Sequence, residues 1–173
     1  MGKEYWNFEN EKGDTGFLAG VVDVLSSNLS MLCDYGYAFE TDIFRIENND
    51  ISNINEIIKK RLHGYNITDG INLQEDYING LNLQLEKVNT DAEKILCDMI
   101  SEYSSEKDVP EKVEEFFRQL NWYLNKPTGI YVLKFPYYRN VEILGRVYLY
   151  MGFNCLFITY DEWVVLFIVG TTE

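Results

Sequence analysis

One histidine, three cysteines and 28 acidic side chains are the groups in this 173-residue chain whose types could do chemistry. An imidazole-assisted Cys or Ser nucleophile would have to use His63, which follows the cationic run Lys59-Lys60-Arg61. Its expected place at the end of a short helix makes it a surface group stabilised by the helix dipole instead. Cys33, Cys97 and Cys155 lie far apart in apolar stretches, with no redox or metal-ligand spacing. They are expected to be reduced core residues, and a zinc set of the His/Cys type lacks ligands. Carboxylates are abundant, and paired ones can perform acid–base hydrolysis or hold a divalent metal. Glu40 and Asp42 are expected on one face of a strand, and Asp161-Glu162 at a hairpin tip. Neither pair stands in a metal-binding loop, and no phosphate-binding glycine loop, dinucleotide fingerprint or nucleophile elbow is present. No catalytic residues, metal or cofactor are therefore expected; a carboxylate-dependent hydrolase or transferase stays as the alternative.

Charge carries more information. The formal net charge is -13. Phosphate backbones are bound by Lys and Arg, so nucleic acid is not an expected partner. Residues 1–50 hold 10 acids and 3 bases, residues 86–115 hold 10 acids and 4 bases, and residues 116–146 reverse the sign with 5 bases against 1 acid. Such patterning either keeps a protein soluble or steers a basic partner. Thirteen tyrosines and three tryptophans supply the residue types that dominate protein interfaces. Tyr137 and Tyr138, in Pro136-Tyr137-Tyr138-Arg139, and the segment Tyr5-Trp6-Asn7-Phe8-Glu9 are expected at the surface.

The elements that must position these groups follow from periodicity. Phe17, Leu18, Val21, Val24, Leu25, Leu29 and Leu32 predict an amphipathic helix from Asp14-Thr15 toward Gly36. Tyr35 to Ile43 alternates as a strand, with Glu40 and Asp42 on a solvated face. Ser52 or Asn53 caps a helix through Ile54, Ile57, Ile58 and Leu62 that His63-Gly64 ends. Leu81, Leu85, Val88, Ala92, Ile95 and Met99 step helically, as one helix or as two divided by a Thr90–Glu93 capping box. Asp108 with Pro110 opens a helix to Leu124, Ile130 to Phe135 reads as a strand, and 141–151 satisfies either period. Asn154–Tyr160 and Trp163–Thr171 flank Asp161-Glu162 as a β-hairpin that lacks the usual glycine. The expectation is one α+β domain over 1–173, with N-terminal and central helices packed on a small, mainly antiparallel sheet ending in that hairpin. With 46% hydrophobic residues it can bury a core without disulfides. No signal-peptide run or membrane span is read, so the expected location is cytoplasmic and no membrane partner is expected.

The closing stretch, Gly152-Phe153-Asn154-Cys155-Leu156-Phe157-Ile158-Thr159-Tyr160-Asp161-Glu162-Trp163-Val164-Val165-Leu166-Phe167-Ile168-Val169-Gly170-Thr171-Thr172-Glu173, resembles the terminal hairpin of small acidic bacterial immunity proteins of contact-dependent and polymorphic toxin systems. That resemblance implies a non-enzymatic cytosolic protein that binds a cognate protein toxin and occludes it. A basic nuclease domain would suit the charge. Glu40, Asp42, Glu47 and Asp50, or the acids of 86–115, are the expected partner-binding side chains, with Tyr137 and Tyr138. A phage-type inhibitor or DNA mimic shares the acidity and is the further alternative.

Overall fold

Trp163 to Val169 is apolar at every position, and a strand without alternation satisfies its side chains only when both of its faces are covered. In the computed structural model, which describes residues 15–47, 50–68, 75–134 and 152–171, this run is an interior strand. The elements are α1 (Thr15–Ser30), β1 (Tyr37–Arg45), a 3₁₀ turn (Ile51–Asn53), α2 (Ile54–Thr68), α3 (Glu75–Asn79), β2 (Leu85–Lys87), α4 (Ala92–Ser101), α5 (Val109–Leu124), β3 (Gly129–Leu133), β4 (Gly152–Tyr160) and β5 (Trp163–Thr171). The five strands form one antiparallel sheet in the order β1-β5-β4-β3-β2. The class is α+β, and the chain's last two strands are the expected hairpin. Asp161 at its tip takes φ 40, a left-handed conformation that aspartate tolerates better than most residues.

Both faces of the sheet are buried. On one, Phe39, Ile43, Leu156, Ile158, Tyr160, Val165 and Phe167 meet the apolar stripes of α1, α4 and α5. Phe167 lies 5.7 Å from Phe116 and 6.2 Å from Phe117 between ring centroids, and 6.1 Å from Phe39 of the neighbouring strand. On the other, Phe44, Phe157, Val164, Leu166 and Ile168 are covered by Ile54, Ile58 and Leu62 of α2 with Ile78, Leu81 and Leu83. Among the described residues, no helix is long and apolar enough to cross a membrane.

Several boundaries depart from the periodicity. Residues 81–88 are not helical: Leu81 and Leu83 are buried and Leu85 half-buried, while Asn82, Gln84 and Glu86 are exposed. That alternation is the period of extended chain, and it won over the helical spacing that Leu81, Leu85 and Val88 also satisfy. Helix α4 starts afresh at Ala92, with Asp91 rather than Thr90 accepting the Glu93 N–H at 3.1 Å. Asp50, not Ser52 or Asn53, caps the turn before α2 by accepting the Ser52 N–H at 2.8 Å. Helix α2 runs past His63-Gly64 to Thr68, so His63 is a mid-helix residue and the helix-end dipole does not account for it. Helix α1 stops at Ser30, six residues before Gly36, whose φ of 86 turns the chain into β1. The segment 141–151 lies outside the described residues.

The three-ring contact at Phe167 is where sheet and helices depend on one another most. Phe167→Ala should cost about 4 kcal/mol, or roughly 10 °C in Tm for a chain of this length, measured by thermal unfolding. A loss under about 1 kcal/mol would contradict the packing described.

Candidate protein-binding surface

Among the described residues β1 is the end strand of the sheet and leaves one row of backbone groups without a neighbouring strand. The direction of each group can be assigned. Ile46 N–H extends the ladder to Glu162 O at 2.7 Å, and the one-to-one register with β5 has no bulge. Even-numbered residues of β1 therefore bond to β5, and odd-numbered ones point outward. Two of the outward N–H groups are used locally: Tyr37 donates to Asp34 O at 3.0 Å, and Ile43 donates to Asp42 Oδ1 at 2.9 Å. The backbone N–H and C=O of Phe39 and Thr41 have no partner among the described residues.

Acidic side chains surround this gap. Glu40 lies between the two open residues and is exposed. Partial desolvation against the sheet raises its carboxyl above the ordinary range even so, and the nearby charges of Asp23 and Asp42 raise it further. Asp23, projecting from α1, is also raised by burial, against the opposing pull of the Arg61 guanidinium. Arg61 Nη2 lies 2.9 Å from Asp42 Oδ1. Asp42 is therefore not the solvated acid expected from alternation: its side chain is 6% exposed, bonded both to Arg61 and to Ile43 N–H. The reason is that helix α2 covers the sheet face on which a solvated Asp42 was expected. The Glu40–Asp42 couple is thus one exposed acid and one buried ion-pair member rather than two matched catalytic carboxylates.

The remaining expected residues are dispersed. Glu47 is exposed beyond the end of β1, and Asp50 is exposed but engaged as a cap, its carboxyl lowered by the Ser52 hydrogen bonds. In the hairpin turn, Glu162 is paired with Arg45 at 2.5 Å. Within 86–115, Asp91, Glu93 and Glu114 gather where α4 and α5 meet, and Glu93 is raised by burial and by the other two. This second acidic group is separate from the one at β1. Tyr137 and Tyr138 lie outside the described residues, as does the Tyr5–Glu9 segment. The cysteines are free, with Cys155 buried and Cys33 and Cys97 half-buried. Burial pushes the Cys33 thiol up to about 11 and the Cys155 thiol further still, so neither is a nucleophilic thiolate at neutral pH.

Exposed apolar residues that the sequence did not single out flank the same region. Tyr35 is 95% exposed and Met31 82% exposed just before β1, and Tyr37 lies against Tyr103 with ring centroids 4.9 Å apart. A second group, Phe17, Val24, Trp122 and Tyr123, runs along α1 and α5. Trp122 falls off the Val113-Phe116-Phe117-Leu120-Leu124 stripe, a signal legible in the sequence. Comparison of the chain with protein-family models, curated proteins and solved structures returns no match.

Two outcomes follow. Removing the cation strands a buried carboxylate, so Arg61→Met should cost about 3 kcal/mol, whereas Asp42→Asn keeps the acceptor for Ile43 N–H and should cost about 1 kcal/mol; urea denaturation of both variants tests this ranking. For Glu40 the folded value is raised, so its ionisation opposes folding, fully so above that value and not at all below the unfolded one. Glu40→Gln should therefore raise the urea midpoint at neutral pH, and the gain should vanish by about pH 3.5.

Proposed function

We propose that this chain is an immunity-type inhibitor, a non-catalytic cytoplasmic protein that neutralises a cognate bacterial protein toxin by one-to-one binding. The carrying observation is the acidic margin of β1, where Glu40 stands near Asp23 and Asp42, both of which feel the Arg61 guanidinium, beside the exposed rings of Tyr35 and Tyr37. An under-compensated negative patch accelerates encounter with a positively charged protein, and exposed aromatic rings provide contact area at low entropic cost. The net charge of -13 extends the same field over the molecule and suits a basic nuclease domain as the toxin. Each of the two carboxylate pairs that an enzyme could have used has one member held by an arginine, Asp42 by Arg61 and Glu162 by Arg45, which favours binding over hydrolysis.

If a gene adjacent to this one encodes a toxin domain, calorimetric titration with that domain tests the proposal. The expected result is a stoichiometry of one with a Kd on the order of nanomolar. Combined Glu40→Lys and Glu47→Lys should slow association about tenfold and change dissociation less. No binding at either low or physiological salt would overturn the proposal.

A further inference from the structure

The acidic margin surrounds a sheet edge that is closed along part of its length and open along the rest. Toward its C-terminal end, Asp42 reaches back to cap the outward N–H of Ile43 and is itself held by Arg61. An inward charge of this kind is how natural sheets prevent a further strand from adding. At its N-terminal end, the outward N–H of Tyr37 is taken by the turn carbonyl of Asp34. Between these stops lie Phe39 and Thr41, each with an outward N–H and C=O that meet no partner among the described residues. Their side chains are secured, Phe39 in the core against Phe167 and Thr41 by donating its hydroxyl to Ser26 Oγ at 2.9 Å, so the backbone there is held extended without help from an added strand.

We propose that Phe39 to Thr41 accepts a β-strand from the protein partner, an extended segment carrying Lys or Arg at the position opposite Glu40. This mode rests on the inhibitor reading above and specifies how the partner is held. A strand bonded to Phe39 and Thr41 places one of its side chains across from Glu40 on the same sheet face, at the roughly 5 Å Cβ separation of cross-strand neighbours. There it meets a carboxylate already crowded by Asp23 and Asp42, and a cation relieves that repulsion. Backbone bonds supply affinity and the Glu40 pairing supplies selectivity. The segment leaves the edge past Tyr37, where Tyr35 and Met31 offer exposed apolar surface. A second copy of this chain is disfavoured, because pairing two β1 edges brings two sets of Asp23 and Glu40 together while each copy's Arg61 is already engaged by its own Asp42.

The probe is a short peptide alternating lysine with valine, titrated into the full chain and followed by amide resonances. Saturable binding is expected with a Kd of about 1 mM or tighter, with the largest shifts at Phe39, Glu40 and Thr41. A peptide of identical charge, N-methylated at alternate residues along its bonding edge, should bind at least about tenfold more weakly, since it loses strand hydrogen bonds and no Coulomb attraction. Glu40→Lys should weaken the unmethylated peptide by a similar factor, and a glutamate–valine peptide should not bind. Equal binding of the methylated peptide, shifts confined to the Asp91, Glu93 and Glu114 region, or no binding at about 1 mM would each overturn strand addition. Capture of the toxin domain without any change at Phe39 and Thr41 would overturn this docking mode and leave the inhibitor reading standing. Docking of the peptide with no capture of the toxin domain would do the reverse.

Discussion

Burial of strand β5 on both faces is the condition on which the other elements depend. Its even-numbered residues, Val164, Leu166 and Ile168, and its odd-numbered ones, Trp163, Val165, Phe167 and Val169, belong to different cores. One layer of helices could serve only half of them, and an uncovered Val164-Leu166-Ile168 face would expose a contiguous apolar surface. The chain answers with α1, α4 and α5 above the sheet, and with α2, α3 and the buried leucines before β2 below it. β4 carries the same demand through Leu156, Phe157 and Ile158, so the hairpin acts as the spine of both cores.

From that arrangement the character of β1 follows. With β4 on one side of β5, β1 takes the other side and ends the sheet. It is the place where α1 from one layer and α2 from the other come close to the same strand, which is why Asp23, Glu40, Asp42 and Arg61 influence one another although they derive from three elements. Burying Asp42 without Arg61 would be costly, and fixing it with Arg61 closes one end of the edge. The acidity seen as a sum in the composition is thus partly spent inside the fold, and what remains outward at Glu40 and Asp23 adjoins the open backbone. Structure and proposed function meet at this edge.

Much of the fold was legible in the sequence because its signals are local. The terminal hairpin announced itself by two apolar strands around a two-residue turn, and α5 by Pro110 and a full apolar stripe. Leu81, Leu85 and Val88 step as a helix would, while Leu83 between exposed Asn82 and Gln84 suits extended chain, and pairing of Leu85–Lys87 with β3 decides between them. The candidate surface was less legible. Glu40 was found by its type and place on β1, but the burial of Asp42 depends on Arg61, 19 residues away on another element. That β1 is an edge strand depends on strand order, which no window of sequence contains.

Amide hydrogen exchange of the free protein, resolved residue by residue along β1, tests most directly whether this edge is open at Phe39 and Thr41 and capped at Ile43. An alternating pattern is expected: slow exchange at Glu40, Asp42 and Phe44, which donate to β5, slow exchange at Ile43 beneath the Asp42 carboxylate, and fast exchange at Phe39 and Thr41. Uniform protection from Phe39 to Phe44 would mean that the edge is already covered, and it would contradict the account.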